Sequence, residues 1–372
     1  MSNILSVLLI IFSLSMIIFI HEAGHYIAAK KSGLIVTDAF IGFGPTLWSF
    51  TKNETRYGIK LFLLGGFVRI PGMSSEEKLP EGIEEERTYR NTTYKNKVLV
   101  VSAGVICNFV LSVILAWLAF SVIGVVSPSI VTVQNLHWVD NSGKEISLNY
   151  FHKNDTVLNI AGNLIHSQNE FMTDIVQKPH SNLPVTIKRE NKIIKLNRLP
   201  FPNQGKLHAV LGEGVIRYNP IVAFPHAVWL VYYMGEQTIT HLSSGASNTW
   251  HALVSPQVHS NSSINTGRFV SIIGIVRLSN QAIHTSFILF LFILILLNIM
   301  LAILNIMPFP FLDGWYLAIA TYERLRSSKE TNYHIKIQKL YPFIAVFVTL
   351  LIITVSAIAY LDVTKPLINP FK

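Results

Sequence analysis

Four stretches of the 372-residue chain are apolar almost without interruption: Ile4 to Ala29, Val98 to Val126, Gln281 to Leu312 and Tyr341 to Leu361. At 1.5 Å of rise per residue, each is long enough as a helix to cross about 30 Å of hydrocarbon. They predict four transmembrane helices. Between the second and third runs the pattern shortens. Ser129 to Val133, Thr156 to Ile160, Pro184 to Lys188 and Lys192 to Leu196 read as β-strands, with Gln168 to Gln177 helical between the second and third. A further β-like stretch lies in the first connection. There Ile41 to Phe50 and Tyr57 to Phe62 flank polar Thr51 to Thr55 as the arms of a hairpin; Gly65-Gly66 breaks the pattern and Phe67 to Ile70 resumes it. Beside a membrane helix, so apolar a hairpin is expected to enter the bilayer only where protein or a wet cavity satisfies its backbone.

The expected fold class is an α-helical integral membrane protein of about four transmembrane helices, with a membrane-associated β-hairpin and an inserted small α+β domain. Residues 1–126 form the first membrane part, 127–205 the inserted domain, 206–280 a connector and 281–372 the second membrane part. Within the connector, Asn219 to Thr240 is apolar but interrupted by Pro225 and Gly235, so an interfacial or re-entrant helix is preferred to a fifth crossing. Ser243 to Ser263, rich in Ser, Asn and His, reads as a mobile loop.

Composition supports the membrane assignment. Half the residues are hydrophobic, 14% are charged and mean hydropathy is +0.42, too apolar for an ordinary soluble domain. The net charge of +9 does not point to nucleic acid, because the basic residues form no run of five or more. They gather instead in two connections, with eleven Lys or Arg from Lys30 to Lys97 and five from Glu323 to Lys339. Both connections are therefore expected on the cytoplasmic side, leaving the N-terminus, the inserted domain and the C-terminus outside. The single cysteine, Cys107, excludes an intrachain disulfide and reads as a packed thiol. No basic leader or small-residue cleavage site precedes the first helix, so that helix is expected to be retained.

Chemistry concentrates at the end of the first run, in His21-Glu22-Ala23-Gly24-His25. On a helix His21 and His25 lie one turn apart and project from one face, so both imidazoles can hold one metal ion with Glu22 beside them as a base. Ionisable groups in such a helix are unfavourable unless paired or functional. Catalytic zinc takes three protein ligands and keeps one position open. Asp313, at the end of the third run, is the leading third ligand by elimination: His284 is the only ionisable residue within that run, and the second and fourth helices contain no carboxylate within their spans.

Asn305-Ile306-Met307-Pro308-Phe309-Pro310-Phe311-Leu312-Asp313-Gly314 resembles the NxxPxPxLDG motif of the site-2 protease family of intramembrane zinc metalloproteases. With HExxH on the first helix this makes a specific pair. Gly42-Phe43-Gly44-Pro45, Gly65-Gly66-Phe67-Val68-Arg69 and Ala103-Gly104 with Asn108 are similar to further motifs of the bacterial PDZ-containing branch. Val105 stands where that branch usually has proline. Asp155-Thr156-Val157-Leu158-Asn159-Ile160-Ala161-Gly162, followed by a helix and two strands, resembles a PDZ domain, although Phe151 to Asp155 lacks the Gly-containing turn often seen there.

The resemblance implies a peptidase of the bacterial cytoplasmic membrane, holding Zn²⁺ through His21, His25 and Asp313 with Glu22 as catalytic base. It also implies single-span membrane substrates such as anti-sigma factors or remnant signal peptides, with the lipid bilayer as surroundings and no nucleic-acid partner. Asn305, Pro308 and Pro310 are expected to face substrate. The hairpin edge at Tyr57, Ile59 and Leu61 is expected to receive an unwound substrate strand by β-addition. Two other classes fit the composition, a catalytically inactive PDZ-bearing scaffold and a metal transporter. The intact motif pair argues against the first, and ionisable residues confined to two helix ends argue against the second.

Overall fold

The computed structural model describes residues 3–73, 77–79, 82–139, 141–176, 183–190, 192–199, 206–254, 267–327 and 333–367. Its chain divides into two compact units, residues 1–117 with 224–372, and residues 118–223.

The first unit begins with α1 (Asn3–Lys31), whose single glycine is Gly24 and which contains no proline. The helix stops where Gly33 adopts a φ of +75°. There Leu34 N–H donates to the Ala29 carbonyl and Gly33 N–H to that of Lys30, a Schellman closure that needs the left-handed residue. Ile10, Ile17, His21, His25 and Ala28 are buried, while Leu8, Phe12, Met16 and Phe19 are exposed, as expected of a helix with one flank on lipid.

Two long strands follow, β1 (Asp38–Lys52) and β2 (Thr55–Arg69), joined by Asn53 and Glu54, both at positive φ as a two-residue hairpin turn requires. The sheet is more folded than a simple hairpin. Ala39 lies opposite both Tyr57 and Val68, and Phe50 also lies opposite Tyr57. Each strand bends, so residues 66–69, 38–41, 56–59 and 48–51 lie side by side. Gly65-Gly66 does not end β2, contrary to the sequence expectation: Gly65 takes a φ of +131° and the strand runs on to Arg69.

The remaining helices of this unit are α2 (Tyr94–Leu118), α4 (Pro220–Thr240, straddling the unit boundary), α5 (Leu242–Val254), α6 (Ile272–Thr285), α7 (Phe287–Ile306), α8 (Asp313–Arg326) and α9 (Tyr341–Thr364). Among the described residues, four helical segments are long and apolar enough to cross a membrane: Ile4–Lys31, Tyr94–Ile123, Phe287–Ile306 and Ile337–Thr364. The third is shorter than the apolar run suggested. Ser286 interrupts the run as the N-cap of α7, its side chain accepting from Ile288 N–H, and Met307 to Leu312 leave the helix where Pro308 and Pro310 remove backbone donors. The mobile loop expected over Ser243 to Ser263 is in part the helix α5; the rest of that loop, 255–263, lies outside the described residues, as do 74–76 and 80–81 of the connection that follows β2. Near its end α9 buries Asp362, which accepts from Ser271 N–H and Oγ at 2.6 Å each and pairs with Arg268 at 3.2 Å, tying α9 to the start of α6.

The second unit is a sheet of β3 (Val125–Val139), β4 (Glu145–Ser147), β5 (Asp155–Ile160), β6 (Asn163–Leu164), β7 (Leu183–Arg189), β8 (Lys192–Leu199) and β9 (Lys206–Ile216), with one helix, α3 (Gln168–Val176). Its order is β4-β3-β5-β7-β8, with β6 against β5 and β9 against β3. Val131, Val133, Val157, Ile160, Val185 and Ile187 alternate inward and enclose Phe171 and Ile175 of α3. The connector expected from residue 206 begins instead as β9, which pairs with β3 from Val125 to Val139. The unit therefore extends beyond 127–205 at both ends. A sheet partner so distant in sequence cannot be read from local pattern.

Asp155 is buried at the start of β5 and accepts two hydrogen bonds from Arg189, at 2.8 and 2.6 Å, and one from His152 N–H. Burial alone would raise its pKa; the Arg189 guanidinium and the amide outweigh that and hold it below the usual carboxylate range. A depressed folded-state pKa contributes stability that is present above the unfolded value of about 4 and is lost as pH falls through the folded one. Asp155→Ala is expected to destabilise this unit by about 3 kcal/mol at neutral pH, seen as faster hydrogen exchange across β5 and β7. Wild-type protein is expected to show the same loosening on acidification below about pH 4.

Candidate metal centre

His21 and His25 stand on the buried face of α1, with ring centroids 4.8 Å apart and Nε2 atoms 3.2 Å apart. Gly24 makes this possible. A Cβ there would lie 2.6 Å from the Ala103 carbonyl oxygen and 2.8 Å from Cys107 Sγ, so α2 reaches α1 only because residue 24 has no side chain. Close approach brings the Val100 carbonyl to 2.8 Å from His25 Nδ1 and Asn108 Nδ2 to 3.2 Å from His21 Nδ1. Gly104 serves the same packing from the other side, since a Cβ there would meet His21 Cε1 at 2.7 Å.

Asp313 arrives from 288 residues later in the chain. Its Oδ2 lies 3.1 Å from His21 Nε2 and 3.2 Å from His25 Nε2. The turn that delivers it is tightly built. Phe311 adopts a φ of +73°, and a Cβ on Gly314 would lie 2.5 Å from the Ile306 carbonyl carbon, so the chain doubles back onto the end of α7. Asp313 then opens α8, where the helix dipole favours a carboxylate.

The three ligand atoms lie within 4.8 Å of one another, and among the described residues this is the only group of three or more His, Cys, Asp or Glu able to hold a metal ion. Asp313 Oδ2 is buried without an aligned hydrogen bond although two imidazole nitrogens are near it. Two nitrogens and one carboxylate oxygen so arranged fit zinc in donor type and number. Glu22 stands beside the trio, its Oε2 accepting from Val68 N–H at 3.0 Å, so residues 66–69 of the sheet reach the centre.

The other sequence-predicted residues divide. Asn305 is buried, with Nδ2 3.3 Å from His21 Nε2, on the metal-facing side. Pro308 is exposed and Pro310 buried in the turn before Asp313. Tyr57 and Ile59 line an apolar cavity of about 410 Å³ together with Glu22, Tyr26, Phe40 and Val68, whereas Leu61 does not. Tyr57 and Ile59 do not form a free sheet edge as expected: each has neighbours in the 38–41 and the 48–51 rows. The rows 66–69 and 48–51 are the two edges, and 66–69 is the one beside Glu22.

Sequence reasoning gave no role to Asn298 or Ser112, both wholly buried beside Asn108. A signal was available, since Asn298 and Asn305 are the only polar residues of α7 and polar groups inside a span mark function.

Comparison with known proteins agrees with this geometry. The family model for Peptidase family M50 matches residues 9–352. The zinc metalloprotease Rip1 of Mycobacterium tuberculosis (strain H37Rv) is 26% identical, covering 98% of this chain and 98% of its own. The Rip1 of Mycobacterium bovis is 25% identical with the same coverage. The chloroplastic membrane metalloprotease ARASP of Arabidopsis thaliana is 27% identical over 87% of this chain and 72% of its own.

His21→Ala, His25→Ala and Asp313→Ala are each expected to remove most bound zinc, measured as metal per protein after purification. Gly314→Ala is expected to lower it too without touching a ligand, because a Cβ there forces the turn open and displaces Asp313. Full occupancy in Asp313→Ala would exclude it as a ligand.

Proposed function

The chain belongs to peptidase family M50 and is a zinc metalloprotease, and from that premise we propose that it hydrolyses peptide bonds within, or at the edge of, a substrate's transmembrane helix. The observation that carries this reading is the location of Glu22, His21 and His25 inside a helix long and apolar enough to span a membrane. Zn²⁺, when bound by His21, His25 and Asp313, supplies a Lewis acid that acidifies water and polarises the scissile carbonyl.

Glu22 takes the proton of the attacking water and passes it to the leaving amine. The Val68 amide fixes one carboxylate oxygen of Glu22 and leaves the other for that transfer. Asn305, close to His21 Nε2, has an amide donor suited to the oxyanion that forms on the carbonyl.

A helical substrate hides its carbonyls in hydrogen bonds and must unwind before attack. Strand addition to the 66–69 edge would hold it open beside Glu22, with its side chains in the apolar cavity lined by Tyr26, Tyr57 and Phe40. The sheet is suited to membrane depth. Phe43, Leu47, Trp48, Phe62 and Leu63 are exposed, and the Leu63 carbonyl accepts from Ser15 Oγ in the middle of α1, which satisfies backbone that lipid would not.

Single-span proteins of a bacterial cytoplasmic membrane, such as anti-sigma factors or remnant signal peptides, are the proposed substrates. The β-rich second unit is proposed to be PDZ-like, from its order of strand, helix and two strands, and to filter or recruit them.

Glu22→Gln is expected to retain zinc and lose cleavage of a single-span model substrate by at least about 10²-fold; wild-type turnover by that variant would sink the assignment. Val68→Pro removes the amide that holds Glu22, and is expected to slow cleavage of helical and already extended substrates alike. Replacing residues 125–216, the whole sheet from β3 to β9, with a flexible linker separates the two roles of the second unit: a filter predicts cleavage of substrates that still carry an external domain, and a docking site predicts slower cleavage of trimmed ones.

A further inference from the structure

A line of buried amides and one hydroxyl runs from α7 through α2 to His21. Asn298, Ser112 and Asn108 are all fully excluded from solvent. Asn298 Nδ2 donates to the Asn108 backbone carbonyl at 2.6 Å and to Ser112 Oγ at 2.9 Å, and Ser112 Oγ donates to the same carbonyl at 3.0 Å. The Asn108 side chain continues the line, its Nδ2 3.2 Å from His21 Nδ1. Two amide oxygens in this line, those of Asn108 and Asn298, are buried without a partner. An orphaned buried carbonyl is unfavourable by about 1–3 kcal/mol.

The two ends of an asparagine amide have nearly the same shape, so neighbours decide which faces where. For Asn298 they decide firmly. Turning its amide would set oxygen against the Asn108 carbonyl oxygen. For Asn108 the neighbour is an imidazole nitrogen, able to donate or accept. With Asn108 Nδ2 donating, Nδ1 is bare and the ring hydrogen sits on Nε2, the atom facing Asp313. That tautomer cannot ligate metal through Nε2. With Asn108 Oδ1 in its place, Nδ1 carries the hydrogen and Nε2 offers its lone pair. His25 already has this arrangement, because the Val100 carbonyl opposite its Nδ1 can only accept.

We propose that Asn108 is a positioning residue for the zinc site, its amide oxygen accepting from His21 Nδ1–H, while Asn298 and Ser112 hold the turn of α2 from which it reaches. Each histidine ligand then has one acceptor behind it, a backbone carbonyl for His25 and a side-chain carbonyl for His21. Turning the Asn108 amide also gives its orphaned oxygen a donor. The inference rests on zinc binding at His21, His25 and Asp313, and adds the group that selects the tautomer of one ligand.

The experiment is zinc affinity of the full-length protein in detergent, by competition with a chromophoric chelator, for wild type, Asn108→Asp and Asn108→Leu. Absence of zinc binding in the wild type would fail the site itself and not this inference alone. Given wild-type binding, Asn108→Asp, which as a carboxylate can only accept, is expected to stay within about threefold of wild type. Asn108→Leu, with no acceptor, is expected to lose about 10- to 100-fold while the metal-free protein keeps its thermal midpoint. Wild-type affinity in the leucine variant, or a tenfold or greater loss in the aspartate variant, would overturn the proposal. If the leucine variant fails to fold, Asn108→Ala takes its place with the same expected loss, and the aspartate variant still tests the sign of the contact, since a donor role predicts that it loses zinc.

Discussion

Two imidazoles and a carboxylate face one another across 3.1 to 3.2 Å in a largely apolar helix packing, and many specific features of the first unit follow from making that tolerable. Polar groups withdrawn from water must be paired or must hold a cation. The chain meets this demand with glycine where helices must touch, carbonyls where ring nitrogens need partners, and a tight turn where the carboxylate must arrive. Gly24 and Gly104 bring α2 against the histidines. Phe311 and Gly314 fold the chain back so that Asp313 starts a helix at the centre.

The bent sheet follows the same logic at the scale of the backbone. Strands near lipid expose donors and acceptors that hydrocarbon cannot satisfy. By bending, β1 and β2 lay four rows side by side and leave 66–69 as the edge beside Glu22, where Val68 already gives its amide to the carboxylate. Elsewhere the pattern repeats, with Ser15 donating to the Leu63 carbonyl.

The second unit is held by different means. Its sheet encloses a conventional core around Phe171, and its buried charge, Asp155, is matched by Arg189. Among the described residues of that unit, nothing resembles the ligand cluster of the first.

Local signals carried much of this into the sequence. Long apolar runs announced the spans, alternation marked β5, β7 and β8, and HExxH placed two ligands on one helical face because a turn of helix is a fixed length. Asp313 was legible by elimination and by its motif. What depended on tertiary structure was everything joining distant segments. The pairing of β9 with β3 and the doubled register of β1 on β2 that denies Tyr57 and Ile59 a free edge are absent from any local window. So is the line from Asn298 to His21, 277 residues apart. An asparagine in an apolar run announces only that it needs a partner; which partner, and which end of its amide is presented, is decided by how three helices pack.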